Sequence, residues 1–225
     1  MSAAEPKLEP KDEPPALLAR LGLTRRVLWI LAALAAVPAL LFVGAKYYGG
    51  PGAKAPSLEY AGARPAVGGP FALVDTEGRA VTDADFRGRL MLVFFGFTYC
   101  PDVCPTALTA IAQAIERLGK DASKIVPIFI TVDPERDTPE QLKEYVRHFH
   151  PRLVGLTGSP EQIAAVAKAY RVYYARARPP GTPADDYTMD HTAITYLMGR
   201  DGKFLAHFSH GTEPEAIAAR VRAFF

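Results

Sequence analysis

The order of hydrophobic and polar residues predicts strands that alternate with helices from residue 69 onwards. The runs Leu90–Phe97 and Lys124–Val132 are almost continuously apolar, which is typical of strands buried on both faces of a sheet. Pro127 in the second run predicts an irregularity or a strand start, because proline cannot donate to a sheet ladder. Shorter strands are predicted at Phe71–Val74, Arg79–Thr82, Leu153–Leu156, Val172–Ala177, Thr192–Met198 and Lys203–Phe208.

Helices are predicted between these strands from the spacing of apolar residues and from capping residues. The first begins at Pro105 with Cys104 as its cap and runs to about Lys120, because proline is favoured at the first helical position. The segment Pro179–Asp190 is predicted to be a loop. The other predicted helices, each given with its capping or first residue, are Thr138–His148, Ser159–Tyr170 and Glu213–Phe224.

The alternation of strands and helices, with hairpin turns at Asp75–Gly78 and Gly199–Gly202, predicts an α/β fold. Two cysteines directly after the first central strand make the pattern resemble the thioredoxin fold. Three residues separate the cysteines, whereas the oxidoreductases of that fold have two. The segment Asp190-His191-Thr192 also lacks the cis-proline of thioredoxins. We predict a thioredoxin-like domain over residues 69–225, with an N-terminal β-hairpin extension and insertions.

The N-terminal part of the chain predicts a membrane anchor. Residues 27–45 carry no charged side chain, and a helix of that length spans roughly 28 Å, close to the hydrocarbon core of a bilayer. Arg25 and Arg26 precede it, which favours a cytoplasmic N-terminus and an outward-facing domain. A cleaved signal peptide and a buried core helix are the alternatives. We expect a cytoplasmic tail at 1–26, a single transmembrane helix at 27–45 and a linker at 46–68.

Composition narrows the functional classes. The 225 residues carry a formal net charge of +2 and no cluster of Lys and Arg larger than a pair, so nothing indicates a nucleic-acid partner. Hydrophobic residues make up 49% of the chain, which is enough for a core and an apolar span besides. An outward-facing domain would place the cysteines in an oxidising compartment.

Cys100 and Cys104 are the only two cysteines and the strongest chemical feature of the sequence. They lie where a buried strand leads into a predicted helix, and the positive end of a helix dipole favours the thiolate over the thiol. Thiolates bind soft metal ions and also react in disulfide exchange. A structural disulfide is the alternative, although a bond across so short a loop would contribute little stability.

His191 is the candidate for a third ligand. We expect it at the start of the strand Thr192–Met198, opposite the cysteine turn. Two thiolates and an imidazole suit Cu(I) in a three-coordinate site, whereas zinc usually takes a fourth ligand. An ordinary histidine at a loop–strand junction is the alternative. The other histidines are expected to be structural or surface residues: His148, His150, His207 and His210.

Several motifs together resemble the Sco/SenC family. The likeness extends from about Gly68 to the C-terminus, with one departure at Tyr99, where many members of the family carry histidine. The motifs are Gly68-Gly69-Pro70-Phe71, Asp85-Phe86-Arg87-Gly88, Phe95-Gly96-Phe97-Thr98-Tyr99-Cys100-Pro101-Asp102-Val103-Cys104-Pro105-Thr106, Val132-Asp133-Pro134-Glu135-Arg136-Asp137-Thr138-Pro139, Asp190-His191 and Asp201-Gly202-Lys203-Phe204.

The resemblance implies a copper-binding protein that helps to assemble the dinuclear copper (CuA) centre of cytochrome c oxidase subunit II. The copper ligands of the family map onto Cys100, Cys104 and His191. Asp133 and Asp190 are expected to neighbour these ligands without binding the metal. For the segment 133–139, turn chemistry before a proline and helix capping are the alternative. The family implies a domain facing the periplasm from the bacterial inner membrane, or the intermembrane space of mitochondria. The acidic residues of the first segment favour the bacterial location.

Three functions are compatible with these residues. A metallochaperone would bind Cu(I) and transfer it to the cysteines of subunit II, with another copper chaperone or a thiol reductant as a further partner. A thiol-disulfide reductase would use Cys100 and Cys104 as a redox pair to keep the cysteines of subunit II reduced, and it would not need His191. A redox or copper sensor would use the same site without delivering metal. We expect an enzymatic activity only for the second function.

Overall fold

The computed structural model describes residues 27, 29–32, 34–38, 66–178, 180–183 and 186–225.

The chain divides into two units, Met1–Gly62 and Ala63–Phe225. The described residues of the first unit are helical and fall within the predicted span 27–45. In the part of the chain that the structure describes, no helix combines the length and the hydropathy needed to cross a bilayer. The predicted tail 1–26, the remainder of the span and most of the linker 46–68 lie outside the described residues, so these expectations stay predictions.

The second unit contains a seven-stranded sheet and a separate two-stranded sheet. The strands are β1 (Ala72–Asp75), β2 (Ala80–Thr82), β3 (Leu90–Gly96), β4 (Ile125–Thr131), β5 (Val154–Thr157), β6 (Tyr174–Ala177), β7 (Thr188–His191), β8 (Ile194–Met198) and β9 (Phe204–Ser209). The helices are α1 (Val103–Leu118), α2 (Pro139–Arg147), α3 (Pro160–Tyr170) and α4 (Pro214–Arg222). The large sheet has the order β2-β1-β5-β4-β3-β8-β9, and the small sheet pairs β6 with β7.

Strands β3 and β4 form the centre of the large sheet, and every one of their residues is buried. They run parallel, from the pair Leu90 and Ile125 to the pair Gly96 and Thr131. Pro127 is tolerated within β4 because the ladder between β4 and β5 begins only at Ile128. Strand β8 lies antiparallel on the other side of β3. The predicted α/β class and the thioredoxin-like arrangement are confirmed.

Local signals placed several elements correctly. The β1–β2 hairpin forms as expected, with Gly78 at a φ of 76° in its turn. Thr138 caps α2, its hydroxyl oxygen accepting from the Gln141 amide, and Pro139 is the first helical residue. Ser159 caps α3 in the same way. Short polar side chains before a proline therefore marked these helix starts reliably.

Two predictions near the cysteines and the histidine are wrong. Helix α1 begins at Val103, with Asp102 at the N-cap position but without a capping hydrogen bond from its side chain, so Cys104 lies inside the first turn and is not the cap. Strand β7 lies within the segment predicted as a loop, and His191 ends β7 instead of starting β8. Strand β7 has a single apolar residue, Met189, that is buried, so no hydrophobic period marked it. Its pairing with β6 is what makes it a strand.

Candidate metal centre

The cysteine turn, residues 97–102 between β3 and α1, follows a glycine, Gly96, that has no room for a side chain. A Cβ atom on Gly96 would lie 2.6 Å from Sγ of Cys104 and 2.8 Å from Cε2 of Phe129. The carbonyl of Gly96 accepts a hydrogen bond from the Val132 amide at 2.8 Å. The close approach of backbone and sulphur thus fixes Cys104 against the end of the central strand.

A buried carboxylate holds the start of the turn. Asp137 is fully buried, and it accepts hydrogen bonds from the amide and hydroxyl of Thr98 at 3.0 and 2.6 Å. It also accepts from the hydroxyl of Thr131 at 2.6 Å. Burial raises the pKa of Asp137, while the hydrogen bonds from Thr131 and Thr98 act in the opposite direction. Asp137 therefore connects the start of the cysteine turn to the loop after β4.

Both cysteines are free, and their environments differ. Cys100 is 9% exposed and Cys104 is 0% exposed, so Cys100 is the sulphur that an incoming group meets first. The backbone amide of Cys104 donates to Sγ of Cys100 at 3.3 Å, which places a helix N-terminal N–H on that sulphur.

The two thiols share hydrogen bonds and therefore titrate as a pair. The side-chain hydrogen bond from Cys104 is the main cause that lowers the pKa of Cys100 to about 5, and backbone hydrogen bonds add to it. The same hydrogen bond with Cys100, together with burial, raises the pKa of Cys104. Near neutral pH the pair consequently carries one thiolate, on the more exposed sulphur.

His191 faces the buried sulphur from the end of β7. Its Nε2 lies 3.5 Å from Sγ of Cys104, and its Nδ1 lies 3.3 Å from the carbonyl oxygen of Thr192. If Nδ1 carries the proton and donates to this carbonyl, the lone pair of Nε2 points at the cysteines. The rings of Phe94 and Phe97 contact the imidazole edge-on, at centroid distances of 6.1 and 5.9 Å. The ring is thus oriented by one carbonyl and two aromatic neighbours.

Cys100, Cys104 and His191 are brought together, with all three potential ligand atoms within 4.8 Å of one another. In the described part of the chain they form the one group of three His, Cys, Asp or Glu residues with ligand atoms in such proximity. Two sulphurs and one imidazole nitrogen are the donor set that suits a soft ion such as Cu(I). The site is half enclosed, since both cysteines are buried and His191 is partly exposed.

The two predicted neighbours of the ligands lie in different environments. Asp133 is 1% exposed and bonds Arg136 and the hydroxyl of Tyr187 at 2.5 and 2.9 Å. Asp190 is exposed on β7, beside His191 in sequence. Of the two acidic residues, Asp133 is therefore the one built into the structure around the site.

Sequence reasoning did not predict the structural roles of Gly96, Asp137, Arg136 and Tyr187. The motif containing Asp133, Arg136 and Asp137 was interpreted as turn and capping chemistry, which does explain Thr138. The overlooked signal was the number of charged residues at the end of a fully buried strand, since such charges must find partners. Tyr187 gave no signal, because its hydrogen-bond partners Arg136 and Asp133 are more than fifty positions away.

Three comparisons with known proteins agree with this geometry. The family model described as SCO1/SenC matches residues 60–225. A SCO2-like protein of Rickettsia felis is 45% identical over 152 residues, which cover 67% of this chain and 73% of that protein.

Two solved structures are also similar. Bradyrhizobium japonicum ScoI, solved with copper bound, is 50% identical with a TM-score of 0.66, covering 71% of this chain and all of that one. BsSco, described as having a disulfide switch and as a member of the Sco family of cytochrome c oxidase assembly proteins, is 25% identical with a TM-score of 0.54. That match covers 71% of this chain and 94% of BsSco.

Proposed function

Because this chain belongs to the SCO1/SenC family, we propose that it is a metallochaperone for the CuA centre of cytochrome c oxidase subunit II. It holds Cu(I) between Cys100, Cys104 and His191. The observation that carries the proposal is the proximity of two free thiols and one imidazole nitrogen within 4.8 Å. The copper bound in a 50% identical relative supports the choice of metal.

The properties of the two sulphurs suit capture and release. Cys100 is the more exposed sulphur and carries the lowered pKa, so it offers a thiolate to an incoming ion at neutral pH. Cys104 and His191 complete the donor set from the buried side. Transfer exchanges the bonds to these three residues for bonds to the donors of subunit II, and no electrons are exchanged. Oxidation of the pair to a disulfide removes both thiolates, so the redox state of the cysteines gates metal loading.

The low pKa of Cys100 also favours a second candidate, thiol-disulfide reduction of subunit II. The Cys100 thiolate would attack a sulphur of the partner's disulfide, forming a mixed disulfide and releasing one partner thiolate. Cys104, after losing its proton, would attack Cys100 and release the second partner thiolate. The partner's disulfide gains two electrons and the cysteine pair loses two, so a thiol reductant must restore the pair. This chemistry does not use His191.

Copper transfer to a purified CuA domain of subunit II separates the two candidates. The wild type should bind one Cu(I) and deliver it, and His191→Ala should lose high-affinity binding while keeping its rate of disulfide exchange. His207→Ala is the matched control, because His207 is also a strand histidine beside an aromatic ring, Phe204. Unchanged copper affinity in His191→Ala contradicts the three-ligand site.

We also propose that residues 27–45 anchor the chain in the bacterial inner membrane, with the copper-binding domain in the periplasm. The support is the uncharged span preceded by Arg25 and Arg26. A reporter fused after Phe225 that requires export should be active. Activity of only a cytoplasmic reporter at the same point contradicts this orientation.

A further inference from the structure

Arg136 lies at the junction of the cysteine turn, the loop after β4 and the hairpin that carries His191. Its guanidinium carbon is 4.7 Å from the ring centroid of Tyr99, the residue before Cys100. It is 3.7 Å from the ring centroid of Tyr187, which directly precedes β7. One side chain thus contacts both segments that supply the candidate ligands.

Hydrogen bonds fix this guanidinium in place. Its Nε donates to the carboxylate of Asp133 at 2.5 Å, and its Nη1 donates to the backbone carbonyl of Tyr187 at 2.9 Å. The hydroxyl of Tyr187 donates to the other oxygen of Asp133 at 2.9 Å. We call Tyr99, Asp133, Arg136 and Tyr187 the arginine cluster. A planar fork with several donors is needed to make these contacts at once, which lysine cannot provide.

Two members of the cluster, Arg136 and Asp133, are largely shielded from solvent. The side chain of Arg136 is 20% exposed and that of Asp133 is 1% exposed. Within the described residues, Nη2 of Arg136 is buried and has no hydrogen-bond partner. The face of an aromatic ring attracts a cation more strongly when both are desolvated, so the partly buried ring of Tyr187 offsets this cost more than the ring of Tyr99, which is 58% exposed.

The hairpin depends on such contacts because it is not part of the large sheet. Strands β6 and β7 pair only with each other among the described strands. Met189 anchors the hairpin in the core, and His191 packs against Phe94 and Phe97. No ladder hydrogen bond joins β7 to β8 or β3 in this part of the chain. The position of Nε2 of His191 therefore depends on side-chain contacts.

We infer that Arg136 is a positioning residue for the metal site, which holds the His191 hairpin against the cysteine turn through Tyr187 and Tyr99. The inference rests on the proposed copper function, since it explains how the third ligand is kept within reach of the two sulphurs. Partners that orient metal ligands commonly change metal affinity by about 10- to 100-fold when they are replaced.

Arg136→Lys keeps the positive charge but loses the planar guanidinium with its several donors. We expect its Cu(I) affinity to fall about tenfold or more in the wild-type background, because His191 is no longer held at the cysteines. In a His191→Ala background the same substitution should cause no further loss, since the ligand it positions is already absent. An equal loss in both backgrounds contradicts the inference.

Arg117→Lys is the matched control. Arg117 also donates to a carboxylate, that of Glu215 at 2.6 Å, and to a backbone carbonyl, that of Gln113 at 3.3 Å, but it lies on α1 and its partner Glu215 on α4, and neither is part of the hairpin. It should leave copper affinity unchanged. A loss like that of Arg136→Lys would show that replacing any bonded arginine has this effect, and it would overturn the assignment.

Hydrogen exchange of the metal-free protein gives an independent readout. Arg136→Lys should speed amide exchange in β6 and β7 while β3 and β4 keep their protection. Tyr187→Phe, which removes only one hydroxyl, should also speed amide exchange in the hairpin, but by a smaller factor. Unchanged hairpin protection in both variants contradicts the inference. If the wild type fails to bind Cu(I), the proposed function is wrong, and the exchange experiment still tests Arg136.

Discussion

The cysteine turn and the β6–β7 hairpin contribute to one site, but they are stabilised in different ways. The turn continues a fully buried central strand, and Gly96, Asp137 and the first turn of α1 hold it. The hairpin forms its own two-stranded sheet, and Tyr187, which directly precedes β7, joins it by hydrogen bonds to Asp133 and Arg136. The difference teaches that the fold preforms the positions of the two candidate sulphur ligands, whereas we infer that a small set of side chains places the candidate nitrogen ligand.

The largest expected effect concerns the thiolate of the preformed half. Alkylation of Cys100 should follow a pH profile with a midpoint of about 5, where an ordinary cysteine gives roughly 8.5. Cys104→Ala should raise this midpoint most, since the hydrogen bond from Cys104 is the main cause of the shift. His191→Ala should change it less. A wild-type midpoint near that of free cysteine, about 8.5, contradicts a preformed thiolate.

The same shift has a defined sign in stability. A lowered folded-state pKa stabilises the fold above the pKa of the unfolded chain, and this contribution is lost as pH falls through about 5. Urea unfolding of the reduced, metal-free protein between about pH 5 and the pKa of cysteine in the unfolded chain, about 8.5, should therefore show stability that rises with pH. Cys100→Ser should flatten that part of the curve.

Gly96→Ala attacks the packing of the preformed half. The added Cβ would lie 2.6 Å from Sγ of Cys104, so we expect a loss of about 1–3 kcal/mol in the free energy of unfolding together with weaker Cu(I) binding. Gly69→Ala is the control, because its nearest neighbour would be Cβ of Ala169 at 3.6 Å, an ordinary contact. Equal unfolding free energies for the two variants would contradict the close approach.

Thr98→Val removes the hydroxyl that donates a hydrogen bond to the carboxylate of Asp137 at 2.6 Å. We expect the free energy of unfolding to fall by about 1 kcal/mol, the usual net value of one hydrogen bond. Thr98→Ser keeps the hydroxyl and should retain most of the stability. If the valine variant is as stable as wild type, Asp137 does not hold the cysteine turn.

Arg176→Gln tests the exposed side of the hairpin and should have the smallest effect. Arg176 forms a salt bridge with Glu135, and their side chains are 49% and 56% exposed. Its guanidinium carbon also lies 4.7 Å from the ring centroid of Tyr187, but it donates no hydrogen bond to the arginine cluster among the described contacts. Exposed pairs contribute little, so we expect a change below about 0.5 kcal/mol and unchanged Cu(I) affinity. A loss of affinity as large as that for Arg136→Lys would remove the distinction between the buried cluster and the exposed pair.

The contrast between the two regions also explains how far the sequence alone could lead. The central strands, the hairpin at Gly78 and the caps Thr138 and Ser159 have local signals, and the structure confirms them. The cysteine turn could be located because it follows an apolar run. The start of α1 was misplaced by two residues, since Pro105 was preferred over Asp102 as the marker of the helix start.

The hairpin could not be predicted in the same way. Its pairing joins Tyr174 to His191 across 17 positions, and β7 has no alternating pattern of its own. The contacts of Arg136 with Tyr187 span 51 positions. Non-local pairing of this kind leaves no periodic signal in a single sequence. His191 was predicted to be a ligand from the chemistry of the cysteines and a family resemblance, and its strand was assigned wrongly.

X-ray absorption spectroscopy at the copper edge of the Cu(I)-loaded protein tests the central claim most directly, because it counts the atoms around the metal. The account predicts two sulphur neighbours and one imidazole nitrogen in the wild type, and loss of the nitrogen in His191→Ala. Two sulphurs without nitrogen in the wild type, or an unchanged nitrogen signal in His191→Ala, would contradict it.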